Sequence, residues 1–191
     1  MNTKKSYNLF VLILLLIFFF GCDTAIQKEE KNHIANANRA IQKKDFLSAA
    51  EELLKAIEIN QSNPLSHYNL AYVMETELND PDSAIEHYEL AIKCSPNKYS
   101  FAYKNIGKLY YELGDFDRSI EAYRSAVEKL PADPLAHNDL AVVLTKKGLT
   151  RDAIEELKKA MELDSNDETI KNNLEKAYIL LKESQDEKKE E

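Results

Sequence analysis

Residues 100–133 read SFAYKNIGKLYYELGDFDRSIEAYRSAVEKLPAD, and this stretch decides the fold. Apolar residues recur at helical spacing on both sides of Gly114, and Pro131 closes the second run, so it reads as two amphipathic helices joined by a tight turn. The pattern returns about every 34 or 35 residues along the chain. Ala49, Ala84, Ser119 and Ala153 form one column, Ala56, Ala91, Ala126 and Ala160 a second, and Ala37, Ala71, Gly107 and Ala141 a third. Where paired helices touch, a larger side chain would hold the backbones apart and leave voids, so small residues are required there. First helices are expected to end near Lys44, Leu78, Gly114 and Gly148, and second helices to start at Phe46, Pro81, Phe116 and Thr150. A period of this size marks an all-α array of stacked hairpins.

The three small-residue columns, with Pro96 and Pro131 after the second helices, resemble the tetratricopeptide repeat (TPR). The resemblance implies a right-handed α-α superhelix with repeats at 30–63, 64–99, 100–133 and 134–167 and a C-terminal capping helix at 168–184. The pattern departs in places. Gln61 and Ser165 replace the terminal proline, and repeat two carries one extra residue in the Asn79–Asp82 turn and another near Tyr99, where insertion costs little. Ile170, Leu174, Ala177 and Leu181 form the stripe that would seat the cap on repeat four. Residues 185–191 are polar or charged and are expected to form a disordered tail.

Residues 1–21 follow a different logic. Lys4 and Lys5 precede an apolar run from Leu9 to Phe20, the organisation of a signal peptide, and the run is shorter than the roughly 20 residues a helix needs to cross a bilayer. Gly21 and Cys22 resemble the end of a bacterial lipobox, although Phe19 and Phe20 differ from its commonest form. That resemblance implies lipidation of Cys22, a short linker over 22–29, and a membrane-anchored lipoprotein of the cell envelope. Acyl chains gain about 0.8 kcal/mol per buried methylene, so two or three hold stably.

The formal charge is −8, and removing a leader containing Lys4 and Lys5 makes it −10. An acidic surface argues against nucleic acid and against docking on acidic lipid. Cys94 is expected as a small packed hydrophobe. No phosphate loop, paired Cys-x-x-Cys or nucleophile elbow occurs. His33, His67 and His137 fall at the same early place of three repeats and are expected to pack between helices, with His87 alone on a second helix. Glu51 with Glu52, and Glu155 with Glu156, are adjacent and are expected on solvated faces. Neither an enzyme, a metal nor a cofactor is expected.

Recognition remains. In the repeat that the chain resembles, the first helix of each unit lines the concave side. Carried over, the partner-facing residues are Tyr68, Tyr72 and Glu75 in repeat two, Phe101, Lys104, Lys108, Tyr111 and Glu112 in repeat three, and Asn138, Val142, Thr145 and Lys146 in repeat four. The groove is expected to be aromatic and locally basic, suited to a protein or peptide carrying an acidic or aromatic element. Asn38 and Asn69 match two asparagines of the clamp by which some relatives hold a terminal carboxylate. Ile34, Phe101 and Asn105 stand where its basic residues would be, so that ligand is not carried over. Two other classes stay open: a structural protein that self-associates into homo-oligomers, and a regulatory subunit of an envelope enzyme or secretion complex.

Overall fold

The computed structural model describes residues 24–190, so the expected leader and Cys22 lie outside the described residues. Helix α1 covers residues 24–42. It is followed by α2 (Phe46–Ile59), α3 (Pro64–Val73), a π-helical turn (Met74–Leu78), α4 (Pro81–Cys94), α5 (Ala102–Glu112), α6 (Phe116–Lys129), α7 (Pro134–Lys146), α8 (Thr150–Leu163) and α9 (Glu168–Glu190). No strand occurs among the described residues. Consecutive helices pack as antiparallel pairs, and α5 also touches α7, as α7 touches α9, so the odd-numbered helices line one side of the array. The fold is the expected right-handed α-α superhelix of four hairpins and a cap.

The four turns inside the hairpins share one device. Lys44, Asn79, Gly114 and Gly148 all have positive φ, from 51° to 78°, which ends each first helix in the left-handed conformation that glycine tolerates best. The next residue turns its N–H back into the finished helix: Asp45 to the Ala40 carbonyl, Asp115 to Tyr110 and Leu149 to Leu144, each at 2.9 Å. Three of these residues then cap the second helix, as Asp45, Asp80 and Asp115 accept from the backbone N–H of Ser48, Ser83 and Arg118. Leu149 provides no side-chain cap. In repeat two the extra residue sits one turn earlier than expected. Asp80 N–H reaches back to Met74 at 3.0 Å, one position further than its counterparts, and the widened π-turn absorbs the insertion.

The small-residue columns lie at the helix contacts. Ala37, Ala49, Ala56, Ala71, Ala84, Ala91, Ala126, Ala141, Ala153 and Ala160 are fully buried. At Gly107 the reason is local: a Cβ there would lie 2.7 Å from Cδ2 of Tyr123 and under 3.0 Å from two more ring atoms. Repeats one and four set Leu53 and Leu157 opposite Ala37 and Ala141, and repeat two sets Tyr88 opposite Ala71, so it is the closeness of the Tyr123 ring, not its size alone, that leaves no room for a Cβ at 107. Ser119 keeps the column small and satisfies its hydroxyl by donating to the Gly107 carbonyl at 2.7 Å.

Two boundaries differ from expectation. Residues 24–29, expected as a linker, are helical and continuous with the rest of α1, and α9 continues through Glu190 where a disordered tail was expected from 185. Neither segment contains glycine or proline, and both are rich in Glu, Lys and Gln, so the adjoining helix propagates through them.

Candidate binding groove

The concave side is built from α3, α5, α7 and α9. Its centre is aromatic. The Tyr68 ring lies 5.0 Å from Phe101 in an edge-on contact, 5.3 Å from Tyr88 and 5.6 Å from Tyr99. Tyr99 was not among the expected groove residues. It lies in the connection between α4 and α5, lengthened by the second extra residue, which lets its buried ring support Tyr68 and Phe101 from below. Tyr72 and Phe101 stay accessible, at 46% and 38% exposure. Burial pushes the Tyr68 hydroxyl above its ordinary pKa, so it stays neutral and able to donate.

The expected basic character is cancelled within the protein. Lys104 donates to Asp133 at 2.7 Å, and Lys108 donates to Glu75 at 2.8 Å. Glu75, whose side chain is 7% exposed, also accepts from the Tyr88 hydroxyl at 2.6 Å. A residue expected to face a partner thus joins three neighbouring elements: the π-turn, α4 and α5. Burial, reinforced by this bond to Glu75, pushes Tyr88 far above the usual phenol range. For Lys108 the hydrogen bond to Glu75 raises the pKa.

The remaining expected residues divide. Tyr111 leans on Phe116, centroids 5.6 Å apart, at the edge of the C-terminal core. Asn138 is buried and accepts from Asn173 of α9 at 2.9 Å, so it ties helices together and does not face an open surface. Lys146 is exposed and, with Val142 and Thr145, lines an open cavity of about 350 Å³ between α7 and α9. Asn173, Lys176 and Leu180 complete it from α9, a helix the sequence reading treated only as a cap.

The histidines do sit between helices, each against a specific partner nineteen or twenty residues on. His33 and His137 bond Glu52 and Glu156 at 2.8 and 2.7 Å, while His67 meets His87 with Nδ1 atoms 3.1 Å apart. His87 is therefore not alone, and Glu52 and Glu156 are not simply solvated. His67 donates from Nε2 to the Gln61 carbonyl at 2.9 Å, and its Nδ1 shares one proton with Nδ1 of His87. Burial, then the neighbouring His67, pushes the His87 pKa down. Hydrogen bonds from Lys55, His33 and Asn36 hold the Glu52 carboxyl at about 2. Burial raises Glu156, but the bonds from Lys159 and His137 outweigh it and leave its pKa below the usual range. Among the described residues no group of three or more His, Cys, Asp or Glu could hold a metal, and no helix is long and apolar enough to cross a membrane. Cys94 is half-buried.

Comparison with known proteins agrees with this architecture. Repeat models described as TPR repeat and tetratricopeptide repeat match residues 107–148, 52–86 and 135–167. A small glutamine-rich tetratricopeptide repeat-containing protein of Mycosarcoma maydis is 33% identical over 107 residues, which is 56% of this chain and 30% of that protein. The chain therefore spans about a third of that relative's length. Among solved structures, a tetratricopeptide repeat protein from Parabacteroides merdae superposes with TM-score 0.71 at 20% identity, covering 79% of this chain and 60% of that one. YrrB, described as a TPR protein with an unusual peptide-binding site, gives TM-score 0.65 at 19% identity, covering 76% of this chain and 74% of that one. The chain is built of tetratricopeptide repeats.

Proposed function

We propose that this protein is a membrane-anchored, non-enzymatic interaction scaffold of the bacterial cell envelope that holds a protein or peptide partner on its concave side. The observation carrying the reading is the exposure of Tyr72 and Phe101 above a supported aromatic cluster, continued along the same side by the cavity between α7 and α9. Tyrosine and phenylalanine offer large contact area at low entropic cost. Because Lys104 and Lys108 are internally paired, an acidic group of the partner is read by Lys146 and Lys176 at the C-terminal end. The peptide-binding YrrB and the relative from Mycosarcoma maydis support a recognition role by likeness of repeat alone. The anchor rests on Gly21 and Cys22 and the apolar run before them.

Photoreactive residues at positions 72, 101 and 142, with Lys93 and Lys129 on second helices as controls, test the groove in membranes from the native organism. One partner captured from the first set and absent from the second is expected; equal capture from both sets overturns the reading. A clickable fatty acid incorporated by the parent and lost in Cys22→Ala tests the anchor. Unchanged incorporation rejects it.

A further inference from the structure

Helix α9 carries two apolar stripes. Ile170 and Ala177, flanked by Leu174 and Leu181, pack into the C-terminal core against α7 and α8. The second stripe points away from the array: Tyr178 and Ile179 are 46% and 50% exposed, and Lys171, Glu175 and Lys182 border the depression that they line with Leu174. At the places matching Tyr178 in the earlier hairpins, Ala40, Met74, Tyr110 and Leu144 are half-buried or buried. Each belongs to a first helix covered by the second helix of its own hairpin. The side of α9 that a second helix would cover is open among the described residues, apart from Lys158 of α8, whose Nζ lies 5.9 Å from the centre of the Tyr178 ring.

We propose that this stripe is a self-association surface, on which α9 of two copies pair antiparallel about a two-fold axis passing between residues 178 and 179. The charge pattern selects a second copy as the occupant. With Tyr178 set against Ile179 of the partner subunit, antiparallel pairing brings Glu175 opposite Lys182 of the partner subunit, and symmetry repeats the contact on the other side. The apolar centre is thus flanked by two opposite-charge contacts. A parallel pairing would instead set each of these charges beside its own like. One helix per copy lies at the small end of specific interfaces, which suits a reversible dimer. The surface faces away from the concave groove, leaving each copy's groove open.

Sedimentation velocity of the full chain in detergent, across roughly 1 to 100 μM, provides the test. The parent is expected to pass from monomer to dimer. Glu175→Lys alone and Lys182→Glu alone should each remain monomeric over that range, since each sets like charges together twice. An equal mixture of the two single variants, and the double variant carrying both changes, should recover the dimer. Ile179→Glu should abolish it in every background. Far-UV circular dichroism melts serve as the folding control, because all three positions are exposed. A parent that stays monomeric, dimers indifferent to the charge swaps, or open-ended growth through head-to-tail stacking would each overturn the proposal.

Discussion

The centre and the C-terminal end of the concave side use lysine in opposite ways. On α5, Lys104 and Lys108 are held by Asp133 and Glu75, which lie 29 and 33 residues away in the chain, at the N-terminus of α7 and in the π-turn after α3. On α7 and α9, Lys146 and Lys176 border a cavity walled by Val142 and Leu180. The same residue type, carried by first helices throughout, stitches the array at one place and faces open space at the other. What decides is the residue that the adjoining helix presents. The histidines follow a similar division: the outer hairpins hold theirs on a carboxylate, while α3 and α4 pair two imidazoles.

Removing residues 168–191 is the largest way to break the contrast, because it takes away half of the C-terminal cavity and uncovers Leu144 and Leu157. Loss of Ile170, Ala177 and the flanking leucines should cost several kcal/mol, at about 1.5–3 kcal/mol for each large side chain, seen as a circular dichroism melt lowered by well over 10 °C or as aggregation. An unchanged melt would contradict the role of α9 as a cap.

Gly107→Ala attacks the centre. The added methyl meets the Tyr123 ring, and the overpacking cost of about 1–3 kcal/mol exceeds the gain of up to about 1 kcal/mol from replacing glycine in a helix. Adding Tyr123→Leu, the residue type at the matching place of repeats one and four, should recover part of the loss in urea unfolding. If Gly107→Ala proves neutral, the close approach of α5 and α6 is looser than described. Glu75→Ala removes the acceptor shared by Lys108 and Tyr88, at about 1–3 kcal/mol, and it also makes Lys108 available to a partner. It should therefore lower stability while narrowing the difference in acidic-peptide binding between the two ends of the groove. Stability and binding that both match the parent would show that the shared bond carries nothing.

Acid sharpens the comparison at the hairpin ends. Glu52 titrates at about 2 in the folded chain against 4.5 ordinarily, so its stabilisation is present above about pH 4.5 and is lost as pH falls toward 2. Glu156 shifts in the same direction. Glu52→Gln should reduce the fall in melting temperature between pH 5 and pH 2.5; a parent-like fall would count against the bonds that Lys55, His33 and Asn36 make to Glu52. The smallest effects are gains. Leu149→Asp supplies the cap that its three counterparts have, at about 0.5–2 kcal/mol. Ser66→Ala removes a buried hydroxyl without a partner among the described residues, at a place where repeats three and four carry Ala102 and Ala136. Both should raise the melting temperature by a few degrees or less, and a decrease in either would refute its premise.

The fold was legible because spacing fixes it. The small-residue columns and the turn positions could be read from the sequence, and the helices after α1 begin within a residue or two of where those signals put them, while α1 begins six residues early. The groove was only partly legible. Tyr68, Tyr72, Phe101 and Lys146 could be named from the repeat alignment, but the engagement of Lys104, Lys108 and Asn138 depends on side chains of other helices, which a helix-by-helix reading does not pair. The contribution of Lys176 was hidden because α9 was read only for its packing stripe. One signal was available and unused: with repeat two shifted for its insertion, the histidine column stands opposite a column reading Glu52, His87 and Glu156.

The π-turn at Met74–Leu78 shows how a periodic molecule survives a change of length. One added residue in an ordinary helix would rotate everything beyond it by about 100° and turn the following stripe away from its neighbours. Here the surplus is swallowed inside five residues, and the register of α4 with respect to α2 and α6 is restored before Pro81. The final turn of a first helix is thus a buffer that takes up one more residue without rephasing the rod.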